Sequence, residues 1–120
     1  MKENVVRDKS FAFALRVVKL ARYLESERRE FVLSKQVLRS GTAIGALVRE
    51  AEHAESKADF IHKMNIALKE TNETCYWLDL LYRGEFVDKQ SFDSIASDSE
   101  ELIKLLIAIV KTAKARRRSQ

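Results

Sequence analysis

Residues 39–51 read Arg-Ser-Gly-Thr-Ala-Ile-Gly-Ala-Leu-Val-Arg-Glu-Ala and carry two glycines, Gly41 and Gly45, one helical turn apart in an otherwise helix-like run. Ile44, Leu47, Val48 and Ala51 keep a helical spacing through and beyond them. A glycine inside a helix costs about 1 kcal/mol relative to alanine. Two in one turn therefore point to a second helix lying close against this face, where a Cβ does not fit. The stretch is an element of architecture. It lacks the Gly-Lys-Ser/Thr ending of a phosphate-binding loop and follows no strand.

Composition extends that reading to the whole chain. With no proline and three glycines in 120 residues, long uninterrupted helices fit and a turn-rich β-fold does not. The length suits one domain, residues 1–120, able to bury roughly 65% of the surface its unfolded form exposes. Cys75 is the sole cysteine, which excludes an intrachain disulfide and points to a reducing, cytoplasmic setting. Met1-Lys2-Glu3-Asn4 opens no apolar run of the kind a signal peptide needs. The longest apolar stretch, Leu102 to Val110, contains Lys104 and falls far short of the ~20 residues that cross a bilayer, so no membrane role is expected.

Four helices follow from the periodicity. The first runs from about Val5 or Asp8 to Glu25. One of its stripes is Phe11, Ala14, Leu15, Val18 and Ala21; beside it runs Phe13, Val17, Leu20 and Leu24. The second helix covers about Val32 to Glu55, either capped in its first turn by Ser34 or beginning a little earlier. Ser56-Lys57-Ala58-Asp59 has the pattern of a capping box. It opens a third helix whose stripe Phe60, Met64, Ala67, Thr71, Thr74, Leu78 and Leu81 is heptad-like. Gly84 sits at its expected C-cap. Asp88 is a plausible N-cap for a fourth helix that ends in a basic tail, 111–120. Short connections make this an all-α, antiparallel up-down-up-down four-helix bundle. Pairing about the 56–57 turn sets Arg39 level with Glu73, Glu50 level with Lys63 and Gly45 opposite about Leu68. Arg39–Glu73 and Glu50–Lys63 are thus candidate interhelical ion pairs. The first and last helices carry more apolar surface than one core requires, which predicts a homo-oligomer formed mainly through them.

Few residues offer chemistry. Glu50-Ala-Glu-His53 and Asp59-Phe-Ile-His62 have the Glu/Asp-x-x-His spacing that places a carboxylate and an imidazole on one helical face, as a metal site would need. They sit at a charged turn at the bundle end, with no carboxylates projecting from the other two helices to complete a site, so neither metal nor cofactor is expected. Cys75 has neither histidine near it to act as base. No catalytic signature remains, and the chain is read as a non-enzyme.

Charge is the remaining lead. Residues 1–29 carry net +4, residues 84–110 net −4 and residues 111–120 net +5. Arg16, Lys19 and Arg22 share a broad face of the first helix, and Lys111, Lys114, Arg116, Arg117 and Arg118 extend the last. Such groups neutralise phosphates and release counterions, which drives sequence-independent binding of RNA or DNA. The alternative is a protein-interaction scaffold whose apolar faces dock a partner while the charge aids solubility.

Two stretches carry a family likeness. Ser40-Gly-Thr-Ala-Ile-Gly-Ala-Leu-Val-Arg-Glu-Ala51 is one, and Asp59-Phe-Ile-His-Lys-Met-Asn-Ile-Ala-Leu-Lys-Glu-Thr-Asn-Glu-Thr-Cys-Tyr-Trp-Leu78 is the other. Both resemble the bacterial four-helix bundle proteins encoded within intervening sequences of 23S ribosomal RNA genes. With Asp8-Lys-Ser and Leu102 to Ala115, the likeness spans nearly the whole chain. It implies an antiparallel bundle, commonly a ring-like homopentamer. It also implies kinship with the accessory variability determinant proteins of diversity-generating retroelements, basic pentamers that bind nucleic acid and a reverse transcriptase. It implies no catalytic residues.

Overall fold

The computed structural model describes residues 2–118, with side chains from Val5 to Arg118; Met1, Ser119 and Gln120 of the termini read above lie outside the described residues. Four helices fill that span: α1 Lys2–Ser26, α2 Leu33–Glu52, α3 Lys57–Arg83 and α4 Lys89–Arg118. No strand occurs among the described residues. None of the helices is long and apolar enough to cross a membrane.

Contacts across each neighbouring pair run in opposite chain directions, so every neighbour is antiparallel. Between α1 and α2, Gly41 faces Val17 and Gly45 faces Ser10. Between α2 and α3, the Thr74 hydroxyl donates to Ser40 Oγ at 2.8 Å and Lys63 Nζ lies 3.0 Å from Glu50. Between α3 and α4, the Cys75 thiol donates to Ser99 Oγ at 3.3 Å and Tyr82 stacks on Phe92 with centroids 4.6 Å apart. Between α4 and α1, Asp98 pairs with Arg16 and Glu101 with Lys9. The close backbone approaches all fall between neighbouring helices, giving a four-cornered bundle of 52 × 22 × 19 Å.

The core is mainly apolar, with buried hydroxyls set among the apolar side chains. Phe13, Val17, Leu24, Ile44, Met64, Leu78, Leu81, Leu102 and Leu106 are fully buried, so on α1 the second of the two stripes faces inward. On α3, Ile61 joins the buried stripe and Phe60 is only half-buried. Ser40, Thr71, Thr74 and Ser99 are buried beside them, and each hydroxyl is bonded. Satisfied polar groups of this kind cost little, whereas a single orphan would cost about 1–3 kcal/mol.

Several boundaries differ from the sequence reading. α1 begins earlier, at Lys2, because no breaker precedes Val6, which is buried in the core. α2 ends at Glu52 rather than Glu55, because the cap of α3 holds Ser56 extended and takes the Glu55 N–H onto the Asp59 carboxylate. Ser34 is not the cap of α2. Glu30 is, its two carboxylate oxygens accepting from the N–H groups of Val32 and Ser34, while Ser34 is buried and donates to Glu25. Gly45 does not face Leu68; its neighbour is Ser10 of α1. A Cβ on Gly41 would meet the Val17 side chain at 2.8 Å, but one on Gly45 would meet Ser10 at 3.5 Å, an ordinary contact. Of these two glycines, only Gly41 is a steric necessity. At the end of α3, Phe86 and Glu85 donate to Leu81 O and Tyr82 O, a Schellman turn whose left-handed residue is Glu85 (φ 67°), with Gly84 at φ −79°.

The surplus apolar surface is spread differently from the expected first-and-last-helix interface. Phe11, Leu15 and Tyr23 are exposed on α1, Phe31 and Val32 on the following connection, and Tyr76 and Leu80 on α3. From α4 only Ile107 joins them among the described residues.

Candidate nucleic-acid interface

Several cations along the sides are neutralised by carboxylates, while Lys19, Arg22, Lys35 and Lys69 are exposed and in no ion pair among the described residues. Arg16 donates to Asp98 Oδ2 at 2.6 Å and to Ser94 Oγ at 2.9 Å. Lys9 lies 3.1 Å from Glu101. The acidic block of α4 thus cancels part of the basic face of α1. Arg39 reaches Glu70 at 3.3 Å and also pairs with Glu73, whose carboxylate further accepts the Trp77 indole N–H. Lys63 donates to the Glu50 carboxylate and Lys89 to that of Asp93, and these bonds hold both ammonium groups above the ordinary lysine range.

The end of α4 holds a denser run. Lys111, Lys114, Arg116, Arg117 and Arg118 are all exposed, and none is ion-paired among the described residues. No acid occurs from Leu102 to the C-terminal residue. Lys104, Lys111, Lys114 and Arg118 fall at intervals of seven, three and four, so they form one stripe along the outer side of α4. At 1.5 Å per residue that stripe is about 21 Å long. Lys19 and Arg22 are also exposed, but they belong to the opposite half of the bundle. With Arg16 level with Asp98, Arg22 and Lys114 are separated by roughly 33 Å along the axis. One copy of the chain therefore does not bring the eight basic positions into a single patch.

An open cleft of about 770 Å³ lies at the same end as the α4 tail. Phe60, Ile109 and Ala113 line it, and Lys57 and Arg116 face it from α3 and α4. Lys57, Lys104 and Phe60 were not singled out from the sequence as binding residues. The signal for Lys57 was present: a residue just after the 56–57 turn must lie beside the C-terminal end of an antiparallel fourth helix.

Other candidate groups do not assemble. His53 is the C-cap of α2, where the backbone leaves the helical conformation (φ −113°, ψ 25°). His62 is exposed on α3. No three His, Cys, Asp or Glu side chains among the described residues converge as a metal site would require. Cys75 is half-buried and bonded to Ser99, roughly 20 Å along α3 from His62.

Residues 2–108 match the family described as 23S rRNA-intervening sequence protein. The chain belongs to this family. It is similar to a crystal structure from Bacteroides thetaiotaomicron VPI-5482, a protein of unknown function from the S23 ribosomal protein family. The two are 60% identical over 92% of this chain and 99% of that one, with a TM-score of 0.91. No significant match occurs among curated proteins. The intervening-sequence family match stops at residue 108, before the densest run of cations.

Proposed function

We propose that this intervening-sequence family member is a non-enzymatic, homo-oligomeric helical bundle that binds RNA or DNA through the end of α4. The observation that carries the reading is the run of five exposed cations at the end of α4, none ion-paired among the described residues and none with an acid nearby in sequence. Arg16, Lys9 and Arg39 are engaged by carboxylates, whereas Lys111, Lys114, Arg116, Arg117 and Arg118 are left to solvent. Cations held out on a helix, without acids nearby in sequence, neutralise phosphates without first losing an internal partner. Assembly into an oligomer, a pentamer by the family likeness, multiplies the patch and adds avidity. The half-exposed Phe11 and Leu15 on α1 supply apolar area for that assembly.

The test compares two charge-removing variants by fluorescence anisotropy with a short labelled RNA at low salt. Replacing the five tail cations by glutamine is expected to weaken binding for every sequence alike. Arg16→Gln, which removes a paired cation, is expected to leave affinity nearly unchanged. Equal loss in both, or no binding by the intact oligomer, contradicts the reading. The scaffold alternative draws on the same exposed Phe11 and Leu15; a defined protein complex that survives nuclease treatment, together with absent RNA binding, would favour it.

A further inference from the structure

We infer that the cleft at the tail end of the bundle is a pocket for an unpaired nucleotide, so that the protein selects single-stranded over duplex nucleic acid. The inference rests on the polyanion-binding reading and names the form of its ligand. Three observations converge. First, the cleft's volume, about 770 Å³, lies in the range of small-molecule pockets, roughly 300–1,000 Å³. Second, its wall is divided by chemistry. Phe60, Ile109 and Ala113 make an apolar side, and Lys57 and Arg116 stand as cations beside it. A nucleotide has the same division, a flat base with a phosphate attached. Third, Arg116 is one of the exposed tail cations and lines the cleft from the face of α4 opposite the Lys104–Arg118 stripe, so a cation stands at the cleft mouth itself.

Glu52 also lines the cleft and is the one acid there. Arg7 lies 3.7 Å from its carboxylate and offsets its charge. The positive end of α3 opens at the same place, its Ser56 hydroxyl taken by the Asp59 N–H. A base in duplex is held in its stack and must be extruded, at a cost of a few kcal/mol, before it could enter. A base in a single strand has no such cost and gains contact with an aromatic wall, the usual platform of single-strand binders.

The experiment measures binding of labelled oligouridylate, oligothymidylate and a blunt duplex of equal length at low salt. Two variants accompany the native protein. Phe60→Leu removes the ring and keeps an apolar side chain of similar reach, and Ala113→Phe fills the cleft; thermal melting confirms that both fold. The expected result is a single-strand preference in the native protein. Each variant should lose it, with single-strand affinity down roughly tenfold and duplex affinity unchanged. Equal binding of single strand and duplex, unaffected by either variant, overturns the inference and leaves the polyanion-binding reading standing. No binding of any probe by the intact oligomer overturns both.

Discussion

The two glycines of α2 make opposite predictions, although one turn of helix separates them. Gly45→Ala places a Cβ 3.5 Å from Ser10, an ordinary contact. Nothing opposes the gain in helix propensity, so the variant should be more stable by about 0.5–1 kcal/mol. Gly41→Ala places its Cβ 2.8 Å from both methyl groups of Val17. Val17 is fully buried and β-branched, so it has no alternative rotamer to move into. Overpacking of this kind costs about 1–3 kcal/mol, which exceeds the propensity gain and leaves a net loss of up to ~2 kcal/mol. The assay is urea denaturation at one fixed protein concentration, because an oligomer's apparent stability depends on concentration. A double variant isolates the cause. Val17→Ala alone opens a cavity and destabilises, but combined with Gly41→Ala it should cost less than the sum, with a coupling of about 0.5–3 kcal/mol. Destabilisation by both glycine substitutions, or strict additivity of Gly41→Ala with Val17→Ala, would refute the packing described for α1 on α2.

Two further substitutions probe the helix ends. Glu85 occupies the left-handed position of the Schellman turn after α3, so Glu85→Gly should stabilise by about 1 kcal/mol, read as a rise in the urea midpoint. Asp88 caps α4: the Ser91 N–H donates to Oδ1 at 2.7 Å, and this bond, aided by one from the Ser91 hydroxyl, holds the carboxyl below the ordinary carboxylate range. A depressed folded-state pKa means that the cap's contribution is present above the usual carboxylate range and is lost as pH falls through the lowered value. Asp88→Asn should therefore keep most of the neutral-pH melting temperature and flatten part of its decline in acid, whereas Asp88→Ala should lower it at neutral pH; an acid limb unchanged in Asp88→Asn would count against the cap.

Local patterns and one tight turn carried most of the fold. Ser56 and Asp88 cap the helices that their patterns announce. The short 53–56 connection leaves α2 and α3 no freedom of register, so counting outward from it places Arg39 beside Glu73 and Glu50 beside Lys63. The connection between α1 and α2 is looser, and there the same counting has no anchor. Counting along the sequence therefore does not place Gly45 against Ser10 of α1. The Glu30 cap was invisible because the capping side chain reaches forward from outside the usual N-cap position. For the candidate interface, the composition showed which segments are basic but not which cations are neutralised. The Arg16–Asp98 pair closes across 82 residues of chain, and only the α1–α4 packing reveals it. The tail cations needed no such information, since no acid follows Leu102.

The most direct measurement is the salt dependence of binding. The dissociation constant for a short single-stranded RNA should be followed from about 50 to 200 mM monovalent salt, the range over which counterion release dominates. The five tail cations at roughly 0.7 counterions per phosphate contribute a log–log slope of about −3.5, and the glutamine-tail variant should lose that contribution. A shallow slope in the native protein, or a steep one that survives removal of the tail cations, would contradict the assignment of the α4 end as the binding surface.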